Sequence, residues 1–143
     1  MSNEFEDVIK DIQRRIDEDE EALYSKKVVE EYRNPQHIGF FKNPDAHGKL
    51  KGSCGDTMQF DLKIQNDRIV DARFFTDGCG PSIACGSMLS KMIIGKLLDE
   101  VVTISSDDVY NALDGLPKEN EHCAVLAVNT LALCIASYHN KKE

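Results

Sequence analysis

Several features that would assign this 143-residue sequence to a common protein class are absent from it. No apolar run approaches the roughly 20 residues that cross a membrane, and the acidic N-terminus has no signal-peptide pattern. The sequence also has no internal repeat, no low-complexity tract, no phosphate-binding glycine motif and no serine–histidine–aspartate arrangement. We therefore expect one cytoplasmic protein with a single core and no membrane contact.

Basic residues are in the minority, with 17 lysines and arginines against 25 acidic residues and a formal net charge of −8. This balance argues against nucleic-acid binding. Residues 1–22 alone hold nine acidic and three basic residues, and Phe5, Ile9, Ile12 and Ile16 recur there at helical spacing. We interpret residues 1–22 as an acidic amphipathic helical extension, which either packs on its own domain or binds a partner.

Cysteines are scattered, odd in number and without a Cys-x-x-Cys pair; they are Cys54, Cys79, Cys85, Cys123 and Cys134. A chain of this size does not need disulfides to fold, so a reducing compartment is expected. In that setting cysteines are metal ligands, nucleophiles or core residues.

The apolar pattern after residue 22 predicts a second helix and then a loop. Residues 24–33 keep helical spacing, and Asn34-Pro35 ends it. The segment 39–52 contains Pro44 and three glycines, which favour a loop, with a short strand near residues 49–53.

An antiparallel hairpin is predicted next, because residues 57–65 and 69–76 alternate between polar and apolar around Asn66-Asp67. The side chains expected on its covered face are Met58, Phe60, Leu62 and Ile64 in the first strand and Val70, Ala72 and Phe74 in the second.

Helices are predicted after the strands. Residues 81–98 form a mostly apolar helix, Ser105 and Ser106 before two aspartates indicate the N-cap of a short helix that ends near Leu113, and the last helix begins near Glu121. This order predicts an α+β fold, with a small antiparallel sheet of about three strands and helices packed on one face.

Three cysteines lie where the ends of the hairpin and the starts of helices can converge. Cys54 precedes the hairpin, Cys79 follows it before a helix, and Cys123 opens the last helix. A helix N-terminus favours the thiolate form. With Asp56 and His122 nearby, these thiols would make a site for an iron–sulfur cluster, zinc or copper(I). Cys85 and Cys134 fit a core role better, because both lie in apolar helical stretches.

The combined motifs resemble the IscU/NifU N-terminal type of iron–sulfur cluster assembly scaffold over residues 23–138. They are Tyr32-x-Asn34-Pro35-x-x-x-Gly39, Cys54-Gly55-Asp56, Gly78-Cys79-Gly80-x-x-Ile83-Ala84 and His122-Cys123. The resemblance implies that residues 23–143 form a non-catalytic scaffold domain with a cluster site at Cys54, Cys79 and Cys123, beside Asp56 and His122. It also implies a transient 2Fe–2S cluster, or zinc in the same site.

The resemblance further implies two kinds of partner, a cysteine desulfurase that donates sulfur and apo iron–sulfur proteins that receive the cluster. Because only three thiolates are present, Asp56 or His122 must complete the cluster's ligands, and such a weaker ligand should ease transfer. We expect Cys79 or Cys123, as an exposed thiolate, to accept persulfide sulfur. The protein should be a monomer or a weak homo-oligomer.

Departures from the family pattern limit these expectations. Residues 116–120 read Leu-Pro-Lys-Glu-Asn where chaperone-served relatives have Leu-Pro-Pro-Val-Lys, which argues against a dedicated chaperone. No SufU-type insertion separates Cys79 from Cys123. Two alternatives stay open: a zinc-binding SufU-like sulfur acceptor that stimulates a desulfurase, and a structural zinc or interaction domain without a transfer role.

Overall fold

The computed structural model describes residues 3–142. Its elements are, in chain order, α1 (Glu4–Leu23), α2 (Lys26–Arg33), β1 (Ala46–Lys51), β2 (Thr57–Gln65), β3 (Arg68–Thr76), α3 (Gly80–Ile93), α4 (Leu98–Val101), α5 (Ser106–Ala112), a 3-10 turn (Lys118–Asn120) and α6 (Glu121–Lys142).

The three strands form one antiparallel sheet in the order β1-β2-β3. Asn66 and Asp67 join β2 to β3 with backbone φ angles of 53° and 60°, the left-handed pair that a tight hairpin turn requires. Helix α6 packs on β1 and β2, α3 packs on β3, and α2 packs on α3. The predicted α+β fold class is confirmed.

One covered side chain of β3 differs from the prediction. Val70 is exposed, and its neighbour Ile69 is fully buried. The register explains this, because Lys63 pairs with Asp71 while Ile64 pairs with Ile69, which leaves Val70 without a partner. Such a bulge reverses the alternation of faces along the strand.

Helix α3 is shorter than the predicted helix over residues 81–98, which is wrong at its C-terminal end. It ends at Ile93, and Gly95 follows with a φ of 91°. The Gly95 N–H donates to the Ile69 carbonyl at 2.7 Å, and the Ile69 N–H donates to the Lys96 carbonyl at 2.9 Å. These bonds hold Gly95 and Lys96 against β3. The helix therefore ends before them, and the next helix, α4, begins at Leu98.

Close backbone contact fixes α6 against the sheet. A Cβ atom on Gly48 of β1 would lie 2.7 Å from the backbone nitrogen of Cys134. The thiol of Cys134 donates to the Phe60 carbonyl at 3.5 Å. Cys134 and Cys85 are both fully buried in the hydrophobic core, so the core role predicted for each is confirmed.

The helix over Lys118–Lys141 is long and apolar enough, by length and composition, to cross a membrane. The sequence prediction concerns an uninterrupted apolar run, and Asn129 and Thr130 interrupt the apolar residues of this helix. In the fold, Leu126, Leu131 and Ile135 of this helix are buried in the core, and the helix packs on β1. A long core helix of a globular domain has the same composition.

No residue of helix α1 is buried. Its apolar side, formed by Phe5, Ile9, Ile12 and Ile16, is exposed, so this side does not pack on the rest of the domain, and partner binding by it stays a prediction. Two ion pairs hold helix α1 to α2. Arg33 of α2 pairs with Asp17 of α1 at 2.7 Å and also with Glu20 of α1.

Candidate metal centre

The loop between β1 and β2 carries the first two predicted ligands. The Gly52 N–H donates to the Asp56 carbonyl at 2.7 Å, and the Gly55 N–H donates to the Gly52 carbonyl at 3.0 Å. Gly55 has a φ of 95°, which a residue with a side chain rarely adopts. This tight loop leaves Cys54 exposed and places Asp56 directly before β2.

The other end of the hairpin is fastened beside this loop. The hydroxyl of Thr76 donates to the Thr57 carbonyl at 2.7 Å and accepts from the Gly78 N–H at 3.1 Å. The Thr57 N–H donates to the Asp77 carboxylate at 2.7 Å. These bonds set the exit of β3, and Cys79 becomes the N-cap residue of α3 with its side chain exposed.

Helix α6 supplies the remaining two predicted residues from its first turn, His122 and Cys123. The sulfur of Cys123 lies 3.7 Å from Nε2 of His122. Cys123 is fully buried.

Three of the predicted residues form a group that could bind one metal ion. The Cys54 sulfur, an Asp56 carboxylate oxygen and a His122 ring nitrogen all lie within 4.8 Å of one another, the only such group found within residues 3–142. Thiolate, carboxylate and imidazole are all zinc ligands, and thiolate and imidazole also bind iron–sulfur clusters. Cys123 stands next to this group through His122, and Cys79 lies outside it.

Burial governs the chemistry of Cys123. Loss of hydration raises the pKa of its thiol to about 11, the hydrogen bond from Ser82 opposes this rise, and negative charge at Cys79, Cys54 and Asp56 adds to it. The expectation that Cys123 is an exposed thiolate is therefore wrong, because packing against α3 outweighs the effect of the helix end. Of the two cysteines proposed to accept sulfur, only Cys79 is exposed.

The sequence of this chain matches a known protein family. The family model of the NifU-like N terminal domain matches residues 23–143. The iron–sulfur cluster assembly scaffold protein IscU of Escherichia coli is 38% identical over 125 residues, covering 84% of this chain and 97% of that protein. IscU 1 of Archaeoglobus fulgidus is 38% identical over 120 residues, covering 83% of this chain and 78% of the relative.

This chain belongs to the NifU-like N-terminal domain family. Solved structures agree on the fold: the N-terminal domain of a NifU-like protein from Brucella abortus superposes with a TM-score of 0.66 at 23% identity, covering 82% of this chain and 94% of that one. A protein of Fervidobacterium islandicum named as a SUF-system cluster assembly scaffold, SufU, superposes with a TM-score of 0.64 at 22% identity. The match covers 78% of this chain and 96% of that one.

One residue of the site escaped the sequence prediction. Ser82 lies in the first turn of α3 with its side chain fully buried. Its hydroxyl lies 3.4 Å from Oδ2 of Asp56, 3.4 Å from the sulfur of Cys123 and 4.0 Å from the sulfur of Cys79. Its position three residues after Cys79, in the first turn of a predicted helix, is the only feature of the sequence that indicates its closeness to the site. The motif that carries the NifU-like resemblance leaves position 82 unspecified.

Two tyrosines cover the side of the NifU-like site next to α2. Tyr24 and Tyr32 meet edge to face, with ring centroids 6.1 Å apart. The ring of Tyr32 lies 3.3 Å from the Cβ position of Gly80, so glycine beside Cys79 makes room for an aromatic wall. Burial raises the pKa of Tyr32 to about 12, and a hydrogen bond with Glu20 adds to the rise. The ring therefore stays neutral beside the cysteines.

Proposed function

We propose that this protein is a non-catalytic scaffold on which iron and sulfur are assembled into a transient 2Fe–2S cluster that then passes to apo proteins. The observation that carries the proposal is the convergence of Cys54, Asp56 and His122 within 4.8 Å, with Cys123 beside His122. Family membership supports it, since the IscU relatives are named as iron–sulfur cluster assembly scaffolds.

We assign the cluster's thiolate ligands to Cys54, Cys79 and Cys123. Asp56 or His122 supplies the remaining ligand, because a 2Fe–2S centre generally takes four ligands and the site has three cysteines. Oxygen and nitrogen ligands hold iron less firmly than thiolate does in such centres. Two of the three cysteines are exposed, which leaves the cluster open to an acceptor.

The exposure of Cys79 supports the proposal that a cysteine desulfurase delivers the sulfur to this residue. In this step the Cys79 thiolate attacks the outer sulfur of the desulfurase's cysteine persulfide. The new S–S bond forms on Cys79 as the old one breaks, and the desulfurase cysteine leaves as a thiolate. A dithiol reductant then supplies the two electrons that release sulfide to iron.

A second candidate function is zinc-dependent acceptance of sulfur, as a SufU-like stimulator of a desulfurase. The Cys54, Asp56 and His122 donors favour it, because sulfur, oxygen and nitrogen ligands together suit tetrahedral zinc. The two functions use the same residues and differ in the metal that the site retains.

The deciding experiment is anaerobic reconstitution with ferrous iron, cysteine, a desulfurase and a dithiol reductant, followed by visible absorption and by iron and sulfide analysis. We expect a labile chromophore with equal iron and sulfide, abolished by Cys79→Ser or Cys54→Ser. Cys134→Ala is the matched control, since Cys134 is buried in the core away from the site. A colourless protein that keeps tightly bound zinc would instead favour the SufU-like function.

We place the scaffold function in residues 23–143, the range that the family model matches. Helix α1 buries none of its residues and contributes no proposed ligand. A chain that begins at Leu23 should therefore assemble the same chromophore in the same assay. Loss of the chromophore in this chain would show that the extension belongs to the scaffold.

Five free thiols fit a reducing compartment such as the cytoplasm.

A further inference from the structure

Ser82 lies in the first turn of α3, where the residue four positions earlier, Gly78, precedes the helix and offers no helical carbonyl to the serine hydroxyl. Ser90, farther along α3 and equally buried, donates to the carbonyl four residues earlier, that of Gly86, at 2.8 Å. Helical serines commonly satisfy their hydroxyls in this way. The hydroxyl of Ser82 instead lies 3.4 Å from both the Asp56 carboxylate and the Cys123 sulfur.

The absence of a side chain at Gly78 leaves space for this arrangement. A Cβ atom on Gly78 would lie 2.6 Å from the hydroxyl oxygen of Ser82, a distance that forces one of them to move. The backbone of Gly78 therefore lies directly against the hydroxyl, which the Asp56 and Cys123 side chains also approach. Its position is set by groups from three separate parts of the chain.

A hydroxyl has one proton and can donate it to one acceptor at a time. Asp56 and Cys123 thus share a single donor, and each is confined to positions within reach of it. Hydrogen bonds from outside the ligand set orient metal ligands, and loss of such a partner commonly costs about 10- to 100-fold in metal affinity.

We propose that Ser82 is a positioning residue that holds Asp56 and Cys123 in register with each other before metal arrives. This inference rests on the proposed function, because it takes Asp56 and Cys123 as ligands. Ser82 itself does not contact the cargo in this role. It acts through the two side chains that do.

The test uses cobalt(II) as the probe, because its visible spectrum reports the number and geometry of its ligands. Metal-free full-length protein is titrated with cobalt(II) under anaerobic conditions as wild type, Ser82→Ala and Ser90→Ala. Alanine favours the helix more than serine does, so both variants should retain the fold. Ser90→Ala removes an equally buried hydroxyl from the same helix without touching the site.

We expect Ser82→Ala to bind cobalt(II) about tenfold more weakly than wild type, with altered absorption bands. Ser90→Ala should match wild type in both respects. An unchanged affinity and spectrum in Ser82→Ala, with normal binding by wild type, would overturn the role of Ser82 alone. Failure of wild type to bind cobalt(II) would overturn both this role and the metal site on which the proposed function depends.

Discussion

Gly78 and Asp56 pack so closely that a Cβ atom on residue 78 would lie 2.8 Å from Oδ2 of Asp56. The backbone of Gly78 is not in a glycine-only conformation, so space, and not backbone freedom, requires glycine here. The last residues of the hairpin thus help to shape the metal centre, although none of them before Cys79 is a proposed ligand.

The first prediction concerns Gly78→Ala, which should push Asp56 and Ser82 out of place. We expect at least tenfold weaker metal binding and a loss of about 1–3 kcal/mol in the free energy of unfolding. Metal titration and denaturant unfolding measure the two effects. Gly52→Ala is the comparison, because its Cβ would meet the Leu126 methyl groups at 3.3 Å and the Asp56 backbone carbonyl at an ordinary contact distance of 3.6 Å, with no ligand side chain among them. Equal metal affinity in Gly78→Ala and wild type would contradict the steric role of Gly78.

Asp56→Ala should lengthen the life of a bound cluster. The carboxylate is the weaker, exchanging ligand in the proposed set, and its removal leaves His122 to complete the shell. We expect the half-life of the chromophore to rise severalfold and transfer to an apo-ferredoxin to slow. Asp99→Ala, an exposed carboxylate on α4, should behave as wild type. Transfer as fast from Asp56→Ala as from wild type would rule out this role for Asp56.

The thiols should react with iodoacetamide in an order set by burial. Cys54 and Cys79 are exposed, and the other three cysteines are buried: Cys85, Cys123 and Cys134. Peptide mass spectrometry at neutral pH should find the first pair alkylated at least tenfold faster in the folded, metal-free protein. In denaturant all five should react at similar rates. Rapid labelling of Cys123 in the folded protein would contradict the closed packing between α3 and α6.

Cys134 should make the protein less stable in strong alkali. Burial raises the pKa of its thiol to about 12, and the charge of Asp61 adds to the rise, against an ordinary value of 9.0. Because the folded-state pKa is raised, the contribution of Cys134 to stability is present below pH 9 and is lost as pH climbs toward 12.

The measurement is the free energy of unfolding across this alkaline window. Wild type should lose up to about 1.4 kcal/mol per pH unit more than Cys134→Ala. The cavity left by the alanine costs the same at every pH, so only the slopes are compared. Parallel slopes would show that the Cys134 thiol does not stay protonated in the core.

Much of the fold follows from local sequence. The hairpin between β2 and β3 was predictable because alternation and an Asn-Asp turn are properties of adjacent residues. A serine cap for α5 was predictable for the same reason, and the structure assigns it to Ser105 rather than Ser106. The end of α3 was not predictable, since it depends on hydrogen bonds of Ile69 with Gly95 and Lys96, which lie more than two dozen positions farther along the chain. The exposure of Val70 was missed because alternation alone does not reveal a bulge.

The amino-acid sequence by itself determined the candidate ligands, because their residue types and flanking motifs are local and chemically specific. Only the tertiary structure decided which of them meet, with Cys54, Asp56 and His122 in one group and Cys79 outside it. It also buried Cys123 and placed the hydroxyl of Ser82 between Asp56 and Cys123. The physical reason is that hydration and hydrogen bonding at these atoms depend on how α3, α6 and the β1–β2 loop pack together, and that packing joins residues distant in sequence.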